Sequence, residues 1–293
     1  MPSIGEGSTK ATMPESTLIG SAEARHSAWT LLRYRVWSIV HGNSLYVLAV
    51  GTLILVAAIM NDFLAFVKAG GITISQNPFQ TPSTIALHLA AIYLALSVTV
   101  SMSREREQRT LLVLSFGPLT PRGYLLSWLG GQMLAYLILC VMLTLGLAGV
   151  ATISGLELSG TLFTFAALST PVAATTIAFG ILVGSLGRDT RGSIFIFLAV
   201  TLFLVGLEAL NAYFVTLTPE QVPSALVPVS RTVALVSVLL IWISPYSYLT
   251  RGLNAIYSSD WRTFTLVLVG AFMYVSVLLL LAHGSFNRKG VQP

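Results

Sequence analysis

Long apolar runs separated by short polar stretches dominate the chain. Within the runs apolar residues follow one another without alternation, which predicts helices rather than strands with one polar face. A helix needs roughly 20 mostly apolar residues to cross a bilayer. Six runs qualify, at about 44–66, 84–103, 123–150, 161–186, 192–215 and 263–284. We therefore predict an all-α polytopic membrane protein with six transmembrane helices.

Composition supports this prediction and narrows the function. Of the 293 residues 55% are hydrophobic and 9% are charged, whereas a soluble domain carries about 25% charged residues. The single Cys140 excludes an internal disulfide and is predicted to be a buried small hydrophobe. An intramembrane enzyme is disfavoured because no H-E-x-x-H motif occurs. The four histidines are scattered, and we predict no catalytic or metal site: His26, His41, His88 and His283.

The N-terminal part divides into two segments. Residues 1–24 lack an apolar stretch and are rich in Gly, Ser, Thr and Glu, so we predict a disordered cytoplasmic tail before a transmembrane domain at 25–293. Residues 25–41 are amphipathic, with Arg25 and Arg33 off the apolar face. This pattern favours an interfacial elbow helix over a cytoplasmic extension of the first span. The apolar face consists of Trp29, Leu32, Val36 and Val40.

The stretch before the last span is ambiguous. Three prolines in 217–229 predict an irregular backbone there: Pro219, Pro223 and Pro228. Residues 232–244 are apolar but short and precede Pro245, which favours a re-entrant segment over a crossing. The alternative is a seventh span that also includes 225–231.

Basic residues predict the orientation of the spans. Six spans with both termini in the cytoplasm of the cell place twelve basic residues inside. The four left outside are Lys68, Arg231, Arg251 and Arg262. A seventh span would give the same twelve-to-four distribution, so charge does not separate the two topologies. We predict a multi-pass protein of the cell membrane with cytoplasmic termini.

The densest charge lies in residues 103–110, SREREQRT, where five of eight residues are charged. The apolar residues that follow are too few to span, and a Gly-Pro break ends them. On a helix Glu105 would sit one turn before Arg109, the favourable order for an ion pair. A short cytoplasmic docking helix needs this combination of apolar contact and orienting charge. The alternative is a solvated stop signal after the second span.

This loop resembles the segment between the second and third spans of ABC-2 type transporter permeases. Arg109 stands where that family usually has glycine. The stretch SPYSYLTRG at 244–252 and the closing FNRKG are also similar to the family, so that the similarity covers roughly 25–293. The residues that match the loop pattern are Glu105, Glu107, Thr110, Leu111, Leu114, Pro118 and Arg122.

The resemblance implies a function. Such a permease pairs with a second permease subunit, identical or different, and with two cytosolic ABC ATPase subunits. Residues 104–118 would form the coupling helix that sits in a cleft of the ATPase, and the transporter would export its substrate. The cofactor, ATP with Mg²⁺, would bind the ATPase, since this chain has no G-x-x-x-x-G-K-[ST] loop. Its three lysines lie in other contexts: Lys10, Lys68 and Lys289.

Two further features carry site predictions. Gly180 and Gly184 have the G-x-x-x-G spacing that allows close helix contact. Glu208 is the one acid well within a predicted span, about 24 Å beyond Gly192 along the helix. It is either a carboxylate that reaches water at the outer boundary or a group that lines the translocation path. Two rival functions are an ion-coupled secondary transporter, which needs such acids, and a structural membrane anchor for a soluble complex.

Overall fold

The computed structural model describes residues 29–68, 79–108, 120–154, 161–187, 189–216 and 227–289. All regular secondary structure in these ranges is helical. The predicted tail, 1–24, lies outside them. The nine helices in the described residues are α1 (29–40), α2 (Asn43–Lys68), α3 (Gln80–Glu107), α4 (Pro121–Ser154), α5 (Thr161–Leu186), α6 (Thr190–Thr216), α7 (Val227–Leu240), α8 (Pro245–Tyr257) and α9 (Trp261–Lys289).

Six of these helices are long and apolar enough to cross a bilayer: α2, α3, α4, α5, α6 and α9. The predicted all-α architecture and the six candidate spans are thus confirmed. The predicted limits of α5 agree with the structure, whereas α3 extends four residues beyond the predicted 84–103 at each end. Pro82 lies in the first turn of α3, where proline is tolerated. At the other end, Arg104–Glu107 continue the helix because no helix-breaking residue precedes Gln108.

Helix α5 is the centre of the bundle. In the most apolar 18-residue stretch of α5, 67% of the residues are buried, compared with 22% in the corresponding stretch of α6. It packs against α3, α4, α8 and α9. Helix α6 lies at the periphery, and its large exposed side chains include Phe195, Leu202 and Phe203. A helix that is apolar all round and yet buried on one side only must cover its other side with lipid or with another chain.

Small residues allow α3 and α5 to approach closely. A β-carbon at Gly180 would overlap the Ala95 carbonyl group, and one at Gly184 would lie 3.1 Å from Thr99 Cα. The Thr99 hydroxyl donates to the Gly180 carbonyl at 2.8 Å. Van der Waals contact of this closeness is a main source of helix association in lipid, where no hydrophobic driving force acts between helices.

Helices α7 and α8 meet at a bend of 87°. The prediction that 217–229 is not helical is wrong for its last residues, because α7 begins at Val227. Pro228 fits there since an N–H in the first helical turn has no intrahelical partner. At the bend, the Tyr274 hydroxyl donates to the Ile243 carbonyl at 2.6 Å and the Tyr248 hydroxyl to the Trp242 carbonyl at 3.0 Å. Backbone groups freed by the break are thereby satisfied, as a lipid environment requires.

Side-chain caps begin several of the long helices, among them α4 and α9. Thr120 Oγ1 accepts from the N–H of Gly123 at the start of α4. Asp260 accepts from the N–H and hydroxyl of Thr263 at the start of α9. These hydrogen bonds lower the pKa of Asp260, since they favour its ionised form. Each cap satisfies a backbone donor that the helix itself leaves free.

Candidate functional site

The charged end of α3 contacts two other helices through Glu105. The Tyr124 hydroxyl of α4 donates to Glu105 Oε2 at 2.5 Å. The Arg35 guanidinium of α1 lies 3.6 Å from the same oxygen. One carboxylate therefore joins three helices whose residues are far apart in the sequence.

Arg35 is almost fully buried, at 8% exposure. Its guanidinium lies 3.3 Å from the Trp128 ring centroid and 5.0 Å from that of Tyr124. Burial lowers the pKa of Arg35, and the charge of Glu105 opposes this shift. Arginine nevertheless stays charged in proteins. Stacking on the aromatic ring and pairing with Glu105 offset the cost of removing the guanidinium from water.

The last two charges of α3 connect it to further helices. Arg106 Nη1 donates to the Gly187 carbonyl, just after α5, at 2.8 Å. The same guanidinium lies 5.4 Å from the Phe286 ring centroid of α9. Glu107 Oε2 accepts from the Thr190 hydroxyl at 2.6 Å and from its N–H at 3.3 Å. A carboxylate at this position favours the start of α6, because a helix N-terminus carries partial positive charge.

Together these side chains bring six helices to one end of the bundle: α1, α3, α4, α5, α6 and α9. We call them the helix-end cluster; its members are Arg35, Glu105, Arg106, Glu107, Tyr124 and Thr190. Charged hydrogen bonds hold geometry more firmly than neutral ones. The end of α3 is therefore linked to the other five helices by polar and aromatic contacts.

Of the seven predicted coupling residues, three are described by the structure and four are not. Glu105 and Glu107 belong to the helix-end cluster, so their carboxylates bind groups of this chain. Arg122 is exposed in the first turn of α4. Those outside the described residues are Thr110, Leu111, Leu114 and Pro118. Arg109, predicted to pair with Glu105, is also outside them.

A second polar network surrounds Glu208, toward the far end of α6. Glu208 Oε1 accepts from the hydroxyls of Ser244 and Ser247, the first at 2.9 Å. The Tyr246 and Thr201 hydroxyls lie 2.6 Å apart. This network fixes the start of α8 to α6 directly after the bend.

Helix α3 contacts α8 beside this network. His88 Nδ1 lies 2.8 Å from the Thr84 carbonyl, and His88 Nε2 lies 3.1 Å from Thr250 Oγ1. Two hydroxyl contacts to one carboxylate satisfy Glu208 without a cation. In the described residues Glu208 has no ion pair, and no three His, Cys, Asp or Glu side chains come together as metal ligands would.

Comparison with known proteins decides the class of this protein. The model of the ABC-2 family transporter proteins matches residues 74–285, which is well over half of the chain. The chain belongs to this ABC-2 transporter family. A comparison with curated proteins gave no significant match. The family and the six candidate spans together make the chain a multi-pass membrane protein and an ABC transporter permease.

The ABC-2 match begins before α3 and ends within α9, and it thus includes four of the six helices of the helix-end cluster in full and most of α9. Arg35 lies before the matched region. Sequence reasoning missed Arg35, Tyr124 and Trp128 as a group. The available signal was the position of Arg35 in the amphipathic segment 25–41, one helical turn from apolar residues. The prediction used only the apolar face of that segment and so did not point to Arg35.

Proposed function

We propose that this ABC-2 permease is the membrane subunit of an ATP-driven exporter, and that a separate chain hydrolyses ATP. The observation that carries the proposal is the helix-end cluster. It connects the end of α3 to five other helices directly before residues 109–119, which contain the apolar part of the coupling segment. An ATPase that pushes on this segment would move the bundle as a unit.

In this proposal residues 104–118 contact the ATPase mainly through apolar side chains. Glu105 and Glu107 are satisfied within the chain, so their contribution is to hold the α3 end rigid. Leu111 and Leu114 are then the contact residues, since buried apolar anchors dominate most interfaces. Thr110, Pro118 and Arg122 complete the set of residues that match the loop pattern of the family.

The orientation follows from the same proposal. The ATPase is cytosolic, so the helix-end cluster faces the cytoplasm of the cell and both termini lie on that side. Helix α1 is the interfacial elbow, in keeping with the 65% exposure of Trp29 and Trp37. Tryptophan is enriched at headgroup depth. The domain is 25–293, with 1–24 as a cytoplasmic tail.

The bent pair α7 and α8 is a re-entrant segment in this proposal. Three features fix the corner between α7 and α8. They are the 87° bend itself, the tyrosines whose hydroxyls bind carbonyls at the bend, and the serine hydroxyls of the α8 start that bind Glu208. A cysteine at the exposed Ser258, with Cys140 replaced, should react with an impermeant thiol reagent in intact cells. Reaction only after lysis would indicate seven spans instead.

A second permease subunit completes the transporter in this proposal. The apolar outer side of α6 is a surface that either lipid or that subunit covers. Glu208 borders the translocation path in this arrangement, because it is the acid at the end of α6 opposite the helix-end cluster. The substrate passes between the two subunits as the bundles move apart.

Purification tests the proposal as a whole. The full chain extracted in mild detergent should retain a stoichiometric partner that carries a G-x-x-x-x-G-K-[ST] loop and hydrolyses ATP. Reconstitution of both chains should give transport that requires ATP. Transport that instead follows an ion gradient and needs no ATPase would favour the secondary transporter.

A further inference from the structure

A cavity of about 500 Å³ lies between α1, the start of α2, α3 and α4, beside the helix-end cluster. Its lining includes Arg35 from α1, Ser97, Ser101 and Arg104 from α3, and Gln132 from α4. The small serines on α3 leave the space. The volume falls within the range of small-molecule pockets, roughly 300–1,000 Å³.

Buried polar atoms in the cavity lining lack hydrogen-bond partners among the described residues. They are Arg35 Nη1, Trp128 Nε1 and Gln132 Oε1. Gln132 is 2% exposed. Most buried polar groups in proteins are hydrogen-bonded, and an unsatisfied donor costs free energy. The guanidinium and the indole N–H are donors and favour a ligand with anionic oxygens, whereas Gln132 Oε1 is an acceptor and requires a hydroxyl donor from the same ligand.

The charge of the cavity agrees with such a ligand. Arg104 is exposed on the α3 side and lies outside every ion pair of the described residues. Arg35 is paired with Glu105, so the three charged lining groups leave a net positive charge. Basic pockets between transmembrane helices are typical binding sites for phosphate headgroups.

The depth of the cavity points to the same class of ligand. Helix α1 forms one wall, and it exposes the aromatic side chains of Trp29, Tyr34 and Trp37. Such aromatic residues mark the level of lipid headgroups. Tyr34 also lines the cavity. We propose that the cavity binds the phosphate of a phospholipid headgroup, with Arg35 and Arg104 as its cationic groups.

This assignment is independent of the ATPase partner. A bound headgroup would satisfy Arg35 Nη1 and would join α1 to α3 next to Glu105. Lipid would then be a structural component of the helix-end cluster. A free phosphate ion has the same chemistry but lacks the glycerol and acyl chains that a headgroup at this depth brings.

The test uses the full chain, stripped of lipid in detergent and titrated with dioctanoyl phosphatidylglycerol. Native mass spectrometry counts bound lipid, and thermal unfolding measures stabilisation. Dioctanoylglycerol, which lacks phosphate, and inorganic phosphate are the two comparison ligands. We expect one tightly held phospholipid per chain and little stabilisation by either comparison ligand.

Variants separate the cavity from general surface charge. Arg104→Gln removes one cationic group and should weaken binding about fivefold, the usual effect of one basic residue near lipid phosphate. Ser101→Leu should weaken binding by filling the cavity without a change of charge. Arg191→Gln is the matched control, because Arg191 is an exposed arginine outside the cavity lining. It should bind phospholipid like the unmodified chain.

Three results would overturn the proposal. Equal affinity of the Arg104→Gln and Arg191→Gln variants would mean that only surface charge attracts lipid. Equal stabilisation by dioctanoylglycerol would exclude a phosphate site. Inorganic phosphate that binds as tightly as the phospholipid would assign the site to a soluble ion instead.

Discussion

The helix-end cluster and the Glu208 network each contain a half-buried glutamate, but they satisfy it differently. Glu105 lies at the end of α3 and receives a guanidinium and a phenol. Glu208 lies within α6 and receives two serine hydroxyls. The first carboxylate therefore neutralises a buried cation, whereas the second serves as a hydrogen-bond acceptor. The same residue type joins three helices in one region and fixes a single corner in the other.

The difference follows from the partners that neighbouring helices supply. Glu105 is 29% exposed, so water reaches part of its ion pair with Arg35 and lowers the cost of desolvation. In the described residues no cation pairs with Glu208, and hydroxyls at the start of α8 satisfy it instead. A rigid charged end is suited to receive force, and a corner held by hydroxyls is suited to keep a broken helix in place.

The largest effect should come from the close contact between α3 and α5. Gly180→Leu would drive a side chain into the Ala95 backbone, and overpacking against backbone costs about 3 kcal/mol or more. We expect loss of the folded protein in detergent, measured by size-exclusion chromatography. Gly184→Leu, with 3.1 Å to Thr99 Cα, should be milder but should still disturb assembly or transport. A fully active, stably assembled Gly184→Leu protein would make the G-x-x-x-G spacing incidental.

The second-largest effect should come from removal of the negative charge of Glu105 in the helix-end cluster. Glu105→Gln keeps an acceptor for Tyr124 but leaves Arg35 buried without its counter-charge, at a cost of about 2 kcal/mol. We expect a clearly lower midpoint of thermal unfolding. Tyr124→Phe is the matched control, since it removes one hydrogen bond and no charge, and it should cost about 1 kcal/mol. An unchanged midpoint for Glu105→Gln would show that the ion pair is not needed.

The same glutamate-to-glutamine substitution in the Glu208 network should have little effect on stability. Glu208→Gln retains an oxygen that both serines can bind, so the free energy of unfolding should change by less than about 0.5 kcal/mol. Glu208→Leu removes the acceptor and should cost about 1–2 kcal/mol because the serine hydroxyls lose their partner. Thermal unfolding of both variants measures this. If Glu208→Gln were as harmful as Glu105→Gln, the distinction between charge and acceptor would fail.

The smallest effect concerns Glu107, which is exposed. Glu107→Lys places a positive charge at the N-terminus of α6, where it is unfavourable. We expect about a twofold loss of stimulated ATP hydrolysis at low salt and recovery at high salt, because exposed charges are screened. Stimulated ATP hydrolysis of the Glu107→Gln variant at low salt should lie between that of the unmodified chain and that of the Glu107→Lys variant. A loss that persists at high salt would mean that Glu107 acts through buried contacts.

Most of the fold could be predicted because each span is a local property of the sequence. The limits of α5 follow from composition alone. Those of α3 failed at both ends, where the mostly polar residues 80–83 and the charged residues 104–107 continued the helix. The site could not be predicted in the same way. Glu105 was visible as a charged residue, but its partner Arg35 is 70 residues away and is buried by packing of α1 on α4. Likewise Ser244 and Ser247 reach Glu208 only because α7 and α8 are bent.

The central claim is that an ATPase moves this bundle through the segment after α3. Leu111→Asp combined with Leu114→Asp should abolish binding of the ATPase in pull-down and its substrate-stimulated hydrolysis in liposomes. The matched control is Asn43→Asp combined with Thr120→Asp, which adds the same charge at exposed positions outside residues 104–118. The control should bind the ATPase and hydrolyse ATP normally. Normal binding and stimulated hydrolysis by the Leu111, Leu114 variant would contradict the account.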